Sequence, residues 1–357
     1  MISKTPLFEI HKKLGAKMTP FGGWDMPLQY QGIVAEHMQT RQSVGLFDIC
    51  HMGEFELEGK GAGDFLERKL TCSPKTIPVG KCRYGLMLDE SGCCIDDVIT
   101  YCLAEDFFML VVNASTAKGD FVHLGDGLPE GIRLEDKSSQ MGKLDLQGPK
   151  TPEVLKELFG FDLSSLKYFE WTEFRDGLIS RTGYTGEWGV EIYCPAEKVC
   201  DLWEEMVSHA LVEPIGLGAR DTIRLECGMS LYGHELDSET SALYCGVDRF
   251  IKWDTPFLGR EALLKEKDSP TYKMVGLRSP NKSAPRAGEK VLFDGECVGE
   301  ITSGSMSPSL GCGIALCRIK SEYAENLDFV VDKGRRQAPV SRCDLPFYIG
   351  TARKKIG

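Results

Sequence analysis

A charged, turn-rich stretch at residues 264–271, LKEKDSPT, divides the sequence into two parts with different hydrophobic patterns. Beyond it the apolar runs are short and lie between Gly, Pro and Ser turns, at 274–277, 291–293, 298–301 and 329–331. Runs of this length and spacing are typical of strands in a small all-β barrel or sandwich. We therefore expect a C-terminal β domain over 271–357 and a separate body over 1–270.

The body mixes helical and strand patterns without regular alternation of the two. The sequence predicts a helix at 31–44, a half-buried strand at 54–58 and a two-stranded hairpin within 98–112. Two amphipathic helices follow, one with Thr151 as its N-cap and one that opens at Pro195. Because regular βαβ units are missing, an α+β fold is expected rather than a parallel sheet.

Charge and composition argue against several classes of function. The net charge of −11 argues against general nucleic-acid affinity, and no apolar run reaches the roughly 18 residues of a membrane-spanning helix. Residues 1–17 lack the apolar segment of a signal peptide, and the 14 cysteines include no CxxC pair. These features predict reduced thiols in the cytoplasm. No histidine pair has metal-ligand spacing, so we expect no metal site.

The charge is distributed unevenly along the chain. Residues 271–357 hold 14 Lys and Arg against 9 Asp and Glu, a net charge of +5, whereas residues 1–270 hold 28 against 44, a net charge of −16. This basic C-terminal part is either a solvated surface or a patch that meets an acidic partner or a polycarboxylate ligand.

Polar residues next to turns are the main candidates for chemistry, since the phosphate-binding GxxxxGK[ST] and GxGxxG motifs are absent. Asp96 and Asp97 directly precede an apolar strand, in which neighbouring side chains point to opposite faces. One of the two carboxylates would then face a cleft, where it could take a proton from an amine. The alternative is that the pair caps a turn after Ser91-Gly92.

Two further segments have binding potential. Arg220 ends the segment GLGAR, where a planar guanidinium could grip a carboxylate or a ring carbonyl. The alternative is a structural ion pair with Asp221 or Glu226. Tyr184 and Glu191 lie seven residues apart in RTGYTGEWGVE, which offers a ring for stacking and an acid that can read a donor–donor edge such as that of a pterin. Spacing alone does not identify a pterin.

These segments and others, taken in order, resemble the glycine cleavage T-protein family of folate-dependent aminomethyltransferases over nearly the whole chain. The matching motifs are TPLF (5–8), FGGWDMPL (21–28), VGLFD (44–48), HMGE (51–54), IDD (95–97), VVN (111–113), QGP (147–149), RTGYTGE (181–187), GLGARD (216–221), LYG (231–233), ITSG (301–304) and SP (307–308). Departures from the family pattern are Cys50 in place of a serine and Cys93-Cys94 in place of small glycines.

The resemblance implies three domains around a central folate channel, with two α/β lobes interleaved in sequence and a C-terminal β-barrel. It also implies the reaction. An aminomethyl group held on the lipoyl arm of H-protein, with tetrahydrofolate as co-substrate, yields ammonia, 5,10-methylenetetrahydrofolate and the reduced arm. That chemistry needs no metal or redox group.

The resemblance also assigns residues. Asp97 matches the catalytic aspartate, which lies beside the reacting amine of the folate. The family's C-terminal ligand has no counterpart in the sequence, because Ala352-Arg353 departs from the expected pattern. The matched folate-binding and channel positions are Tyr84, Met52, Asn113, Tyr184, Glu191 and Arg220.

Two other functions stay open within the same superfamily. A folate-dependent S- or O-demethylase would keep the folate residues but change the mouth of the channel. A non-catalytic folate-binding protein of iron–sulfur cluster assembly would carry a KGCxxGQE-like motif, and GLGAR (216–220) stands at the corresponding place. We expect no fusion with a flavin domain, because the 357 residues contain no dinucleotide motif.

Overall fold

A computed structural model describes residues 2–334 and 336–356 of the chain. Within these residues the strands form three sheets and one closed barrel. The first and smallest sheet contains β1 (Ser3–Lys4), β2 (Lys17–Phe21) and β3 (Trp24–Gln29), with β3 in the middle. It packs beside the two larger sheets that make up most of the body.

The two larger sheets are interleaved in sequence. The six-stranded sheet contains β4 (Val44–Asp48), β10 (Met141–Gln147), β11 (Trp171–Phe174), β12 (Gly177–Ser180), β13 (Gly189–Pro195) and β14 (Val212–Ile215). The five-stranded sheet contains β5 (Gly53–Glu58), β6 (Cys82–Leu88), β7 (Cys94–Ala104), β8 (Phe107–Val112) and β9 (Arg133–Asp136). Their strand orders are β11-β12-β13-β10-β4-β14 and β6-β7-β8-β5-β9. Because β5 to β9 are inserted between β4 and β10, the expected interleaved lobes are confirmed.

Eight α-helices within the described residues cover these sheets. They are α1 (Phe8–Lys13), α2 (Ile33–Gln42), α3 (Ala62–Lys69), α4 (Ala117–Gly125), α5 (Thr151–Phe159), α6 (Val199–Val207), α7 (Leu217–Glu226) and α8 (Arg260–Leu264). Two predicted boundaries were wrong. Val44 begins β4 instead of ending α2, and Pro195 ends β13 instead of opening α6. None of these helices is long and apolar enough to cross a membrane.

The C-terminal strands close into a six-stranded barrel, which confirms the mixed fold with a β-barrel. Its strands are β15 (Tyr272–Arg278), β16 (Lys290–Phe293), β17 (Glu296–Ser307), β18 (Cys312–Lys320), β19 (Asp328–Asp332) and β20 (Gln337–Cys343). Around the barrel they follow the order β15-β18-β17-β16-β19-β20. The apolar side chains of alternate positions, such as Val275, Leu277 and Val291, fill its interior.

Helix α7 links the body to the barrel through one buried carboxylate. Glu226 at its end accepts hydrogen bonds from Ser307 and Ser309 of the barrel and lies 3.1 Å from His37 of α2. Burial alone would raise the pKa of Glu226, but these hydrogen bonds and the nearby Arg41 guanidinium lower it to about 2. These contacts fix the orientation of α7. The predicted site residue Arg220 lies in the N-terminal half of this helix.

Candidate active site

The predicted site residues lie at the junction between the six-stranded and five-stranded sheets. Burial first, and the charge of the Asp97 carboxyl among the further causes, raises the pKa of both Tyr84 and Tyr184. The five-stranded sheet supplies Tyr84 from β6, Asp97 from β7 and Asn113 after β8. The other elements supply Met52 from the loop between β4 and β5, Tyr184 from the loop before β13, Glu191 from β13 and Arg220 from α7.

The carboxyl groups of Asp96 and Asp97 share one donor, the side-chain amide of Asn113. Its Nδ2 atom donates to Oδ1 of Asp96 at 2.8 Å and to Oδ1 of Asp97 at 2.8 Å. The Asn113 backbone N–H also donates to Oδ2 of Asp96 at 2.9 Å. Asp96 is fully buried, whereas Asp97 keeps partial exposure. Of the two, Asp97 is therefore the carboxyl that a substrate can reach.

A third carboxyl group, that of Asp120 on α4, completes what we term the aspartate cluster (Asp96, Asp97 and Asp120). Burial, and then the charge of Asp120, raises the pKa of Asp96 to about 8. Burial and then Asp96 raise the pKa of Asp97 to about 7, and burial raises that of Asp120 to about 6. Among the described residues, none of the three forms an ion pair. Buried acids without a cation cannot all ionise at neutral pH, so the cluster holds protons.

Tyr84 is an aromatic neighbour of the reactive side of this cluster. Its ring packs against Phe250, with ring centroids 4.6 Å apart, and burial and then the charge of Asp97 raise the pKa of its hydroxyl. The donor that fixes the direction of the Asp97 carboxyl group is the side-chain amide of Asn113.

At the other end of the junction, carboxylates are matched by cations. We term Lys143, Asp145, Glu191 and Arg220 the ion-pair cluster. Asp145 lies directly opposite Glu191 on the neighbouring strand and accepts a hydrogen bond from Nη1 of Arg220 at 2.6 Å. The Oε1 atom of Glu191 lies 3.7 Å from Nζ of Lys143, and its Oε2 atom accepts from the Thr182 hydroxyl at 2.7 Å.

The ring of Tyr184 is held beside the ion-pair cluster. The guanidinium of Arg220 lies 5.1 Å from the centroid of this ring, a cation–π contact, and the Tyr184 hydroxyl donates to the carbonyl of Ser230. The thioether of Met52 accepts a contact of 3.7 Å from Nζ of Lys143. The ion-pair cluster thus contacts an aromatic ring through Arg220 and a thioether through Lys143.

The structure also decides the alternatives left by the sequence. Asp89, not Asp96 or Asp97, caps the turn at 89–93, because its carboxylate accepts the backbone N–H groups there. Arg220 pairs with Asp145, whereas Asp221 and Glu226 pair with other arginines. Asp96 and Asp97 therefore do not cap the turn, and Arg220 does not pair with Asp221 or Glu226.

Buried polar atoms without a partner occur in the ion-pair cluster and in the segment around β5. In the described part of the chain, His51 Nδ1, Glu54 Oε1 and Asp145 Oδ1 have no hydrogen-bond partner in the protein. Burial lowers the pKa of His51 to about 4 and raises that of Glu54 to about 8. Buried polar groups are normally paired. These atoms are therefore suited to a ligand that carries both donors and acceptors.

Sequence reasoning missed four residues of the junction: Glu54, Asp120, Lys143 and Asp145. Lys143 and Asp145 alternate with leucines on β10, in the run KLDLQ, and Glu54 opens a similar run on β5. Alternation of this kind normally predicts a solvent-facing side. In the structure both strands are buried on both faces at these positions, so the prediction that residues 54–58 form a half-buried strand was wrong for Glu54.

Two family models match the chain. Residues 7–255 match the GCVT N-terminal domain, and residues 273–348 match the glycine cleavage T-protein C-terminal barrel domain. The second range coincides with the barrel strands from β15 onward.

Curated relatives and one solved structure are similar over almost the full length. The aminomethyltransferases of Symbiobacterium thermophilum and Geobacillus kaustophilus are 41% and 38% identical, covering 97% and 98% of this chain and 97% and 99% of their own lengths. The crystal structure of glycine cleavage system aminomethyltransferase T from Bartonella henselae superposes with a TM-score of 0.92 at 32% identity, covering 98% of this chain and 99% of that one.

Proposed function

The chain belongs to the glycine cleavage T-protein family and is a tetrahydrofolate-dependent aminomethyltransferase, and we propose that its donor is the aminomethyl-loaded lipoyl arm of H-protein. The products are then 5,10-methylenetetrahydrofolate, ammonia and the dihydrolipoyl arm. In this proposal Asp97 is the catalytic residue. The folate-binding residues are Tyr84, Met52, Asn113, Tyr184, Glu191 and Arg220.

The observation that carries the proposal is the position of Asp97. It is the partly exposed member of the aspartate cluster, it is oriented by Asn113, and its charge contributes to the raised pKa of Tyr184, whose ring contacts Arg220 of the ion-pair cluster. A ligand that pairs its ring with Glu191 and Arg220 would extend its reactive atoms toward Asp97. Tetrahydrofolate has this layout, with a donor–donor edge at one side of its pterin and the reacting amines at the other.

The chemistry requires a carboxylate at this point. The transferred carbon lies between sulfur and nitrogen on the lipoyl arm. When its C–N bond breaks, ammonia leaves and the carbon becomes cationic, until one folate amine forms a new C–N bond with it. The second folate amine then displaces the sulfur. The two amine protons end on the ammonia and on the thiol, so atoms and charge balance.

Asp97 supports two parts of this sequence. Its ionised carboxylate stabilises the cationic carbon, and it can accept a proton from the attacking amine. Burial at the junction limits the access of water, which would otherwise capture the same carbon.

The test is ammonia release from aminomethyl-loaded H-protein, measured with and without tetrahydrofolate. We expect rapid release and formation of 5,10-methylenetetrahydrofolate only when both substrates are present. Folate-dependent demethylation of S- or O-methyl donors in place of this reaction would support the demethylase alternative. Folate binding without turnover of either donor would support a non-catalytic folate-binding protein.

We further propose that H-protein docks on the basic surface of the barrel. Arg278, Lys282 and Arg286 are exposed there, in a part of the chain with a net charge of +5. Rim charges act mainly on association rate and its salt dependence, and at about 0.15 M salt they are screened beyond about 8 Å. Reversing all three charges should raise KM for H-protein and flatten its dependence on salt, while leaving tetrahydrofolate affinity unchanged.

The matched control reverses three exposed lysines of the N-terminal region, Lys12, Lys13 and Lys17. It should leave KM for H-protein and its salt dependence at wild-type values. If the barrel variant also behaves like the wild type, H-protein docks elsewhere.

A further inference from the structure

Two residues of the ion-pair cluster, Lys143 and Asp145, lie beside Glu191, the residue that binds the pterin edge in the proposed function. Neither of them needs to contact the folate. Lys143 and Asp145 lie two positions apart on β10, so their side chains point to the same face. Asp145 is the direct cross-strand partner of Glu191 on β13. Neighbours in this register interact strongly because their Cβ atoms are about 5 Å apart.

Lys143 is a buried cation with one anionic neighbour. Its side chain is only 2% exposed, and its Nζ atom lies 3.7 Å from Oε1 of Glu191. Its other contacts are weak acceptors, the sulfur of Met52 at 3.7 Å and the ring of Tyr193 at 4.9 Å. An ammonium in this position stabilises the ionised form of Glu191, because no other strong acceptor competes for it.

Asp145 has the opposite effect on Glu191. Its carboxyl is fully buried, one of its oxygens accepts from Arg220 at 2.6 Å, and the other has no partner in the protein. Burial first, and then the charge of Glu191 against the attraction of Arg220, brings the pKa of Asp145 to about 6. At neutral pH it therefore adds negative charge beside Glu191, which Arg220 offsets.

The remaining ionisable groups around Glu191 carry no charge at neutral pH. Burial raises the pKa of Glu54 on β5 to about 8, and it raises the pKa of the others above their usual ranges. These others are Cys82 on β6, Tyr101 on β7, Tyr168 before β11 and Tyr193 on β13. The charge at Glu191 is consequently set by Lys143, Asp145 and Arg220.

We propose that Lys143 and Asp145 are opposed positioning residues: Lys143 keeps Glu191 ionised for the pterin edge, and Asp145 limits that effect while it holds Arg220 in place. This inference rests on the proposed function, because it assumes that Glu191 reads the donor–donor edge of tetrahydrofolate. Its consequence is that the pH range of folate binding is set from β10, without direct contact between Lys143 and the folate.

The test measures the Kd of tetrahydrofolate by calorimetry between pH 6 and pH 9. Lys143→Met removes the cation and leaves an apolar chain of similar length beside Met52. We expect binding that is about tenfold or more weaker than wild type at pH 6 and close to wild type at pH 9, where even a buried carboxyl group without a cation beside it is largely ionised. Lys143→Arg keeps the charge and should retain the wild-type profile.

Asp145→Asn should shift the pH dependence of tetrahydrofolate binding in the opposite direction to Lys143→Met. The amide still accepts from Arg220 but no longer repels Glu191, so binding should persist to lower pH than in the wild type. A merely structural role for either residue predicts the same loss at every pH. Equal weakening at pH 6 and pH 9 in Lys143→Met, no weakening at all, or shifts of the same sign in both variants would overturn the inference.

Failure of the proposed function has a different signature. In that case wild-type protein itself does not bind tetrahydrofolate at any pH. A wild type that binds, with a Lys143→Met variant that binds equally well at pH 6, leaves the proposed function intact and removes only this inference.

Discussion

Asp96, Asp97 and Asp120 have no cationic partner within the described residues, whereas Glu191 and Asp145, at the other end of the same junction, each face one cation. Asp96, Asp120, Asp145 and Glu191 are all buried, and Asp97 keeps partial exposure. The difference between the two ends lies in Lys143 and Arg220, which offset the loss of hydration at one end only.

This difference suits the two ends to different tasks. A carboxyl group beside a cation can pair with the donor–donor edge of a ring, as the proposed folate recognition requires. An acid with a pKa near 7 can exchange protons at neutral pH, as the proposed transfer of carbon between amines requires. In the proposed function, acidic side chains thus serve for recognition and for proton handling, according to their neighbours.

Asp97→Asn should have the largest effect of any change at the junction. The amide keeps the hydrogen bonds to its neighbours but cannot stabilise a cationic carbon, so we expect kcat to fall by about a hundredfold or more. Steady-state rates test this, and calorimetry should show intact tetrahydrofolate binding. Asp64→Asn, at an exposed surface pair, is the control and should keep full activity. A wild-type kcat in Asp97→Asn would remove the catalytic role.

Glu191→Gln tests the recognition end. Loss of a charge-assisted hydrogen bond pair should weaken tetrahydrofolate binding by about 1.5–3 kcal/mol. Because the aspartate cluster is untouched, kcat at saturating folate should change much less than KM. Unchanged affinity by calorimetry would leave Glu191 as a structural residue.

The pH dependence of kcat tests the proton-handling end. Burial and the charge of Asp96 raise the pKa of the Asp97 carboxyl to about 7, and in the proposed function its ionised form is the active one, so activity should fall as the pH drops through about 7. Asp96→Asn removes the repulsion that contributes to this shift and should move the acid limb down by about one pH unit, with a milder loss of kcat than in Asp97→Asn. If the acid limb of the Asp96→Asn profile stays near pH 7, the charge of Asp96 does not influence the ionisation of Asp97.

Asp120→Asn should have the smallest effect, on stability. Asp96 and Asp120 have higher pKa values in the folded protein than when unfolded, so their contribution to stability is lost as the pH rises from about 4 to about 8. Replacing one acid by an amide should therefore raise the free energy of unfolding by about 1 kcal/mol at pH 8. At pH 5 the increase in the free energy of unfolding should be smaller. Urea unfolding at both values checks this, and equal or reversed gains would contradict it.

Much of the architecture follows from the sequence, because hydrophobic periodicity and turn residues are local signals. The short runs at 274–277, 291–293, 298–301 and 329–331 all lie in barrel strands, and the expected hairpin within 98–112 lies in β7 and β8. The division of the chain at residue 270 was a prediction from the same signals. Asp97, Glu191 and Arg220 were candidates from their local sequence context, with structural alternatives left open, and the motif resemblance then gave each of them a role.

What only the tertiary structure decided is which polar residues are buried together. The run KLDLQ on β10 has the same alternation as a strand with one face in water, and Asp120 lies on a helix with no distinguishing motif. Whether the polar face of a strand meets solvent or another sheet depends on contacts between segments that are distant in sequence, such as β7 and β13, which are joined by the hydrogen bond between Tyr101 and Tyr193. Ionisation depends in turn on that burial and on the cations nearby. The sequence therefore determined the elements and their order, and packing determined the charge that each acid carries.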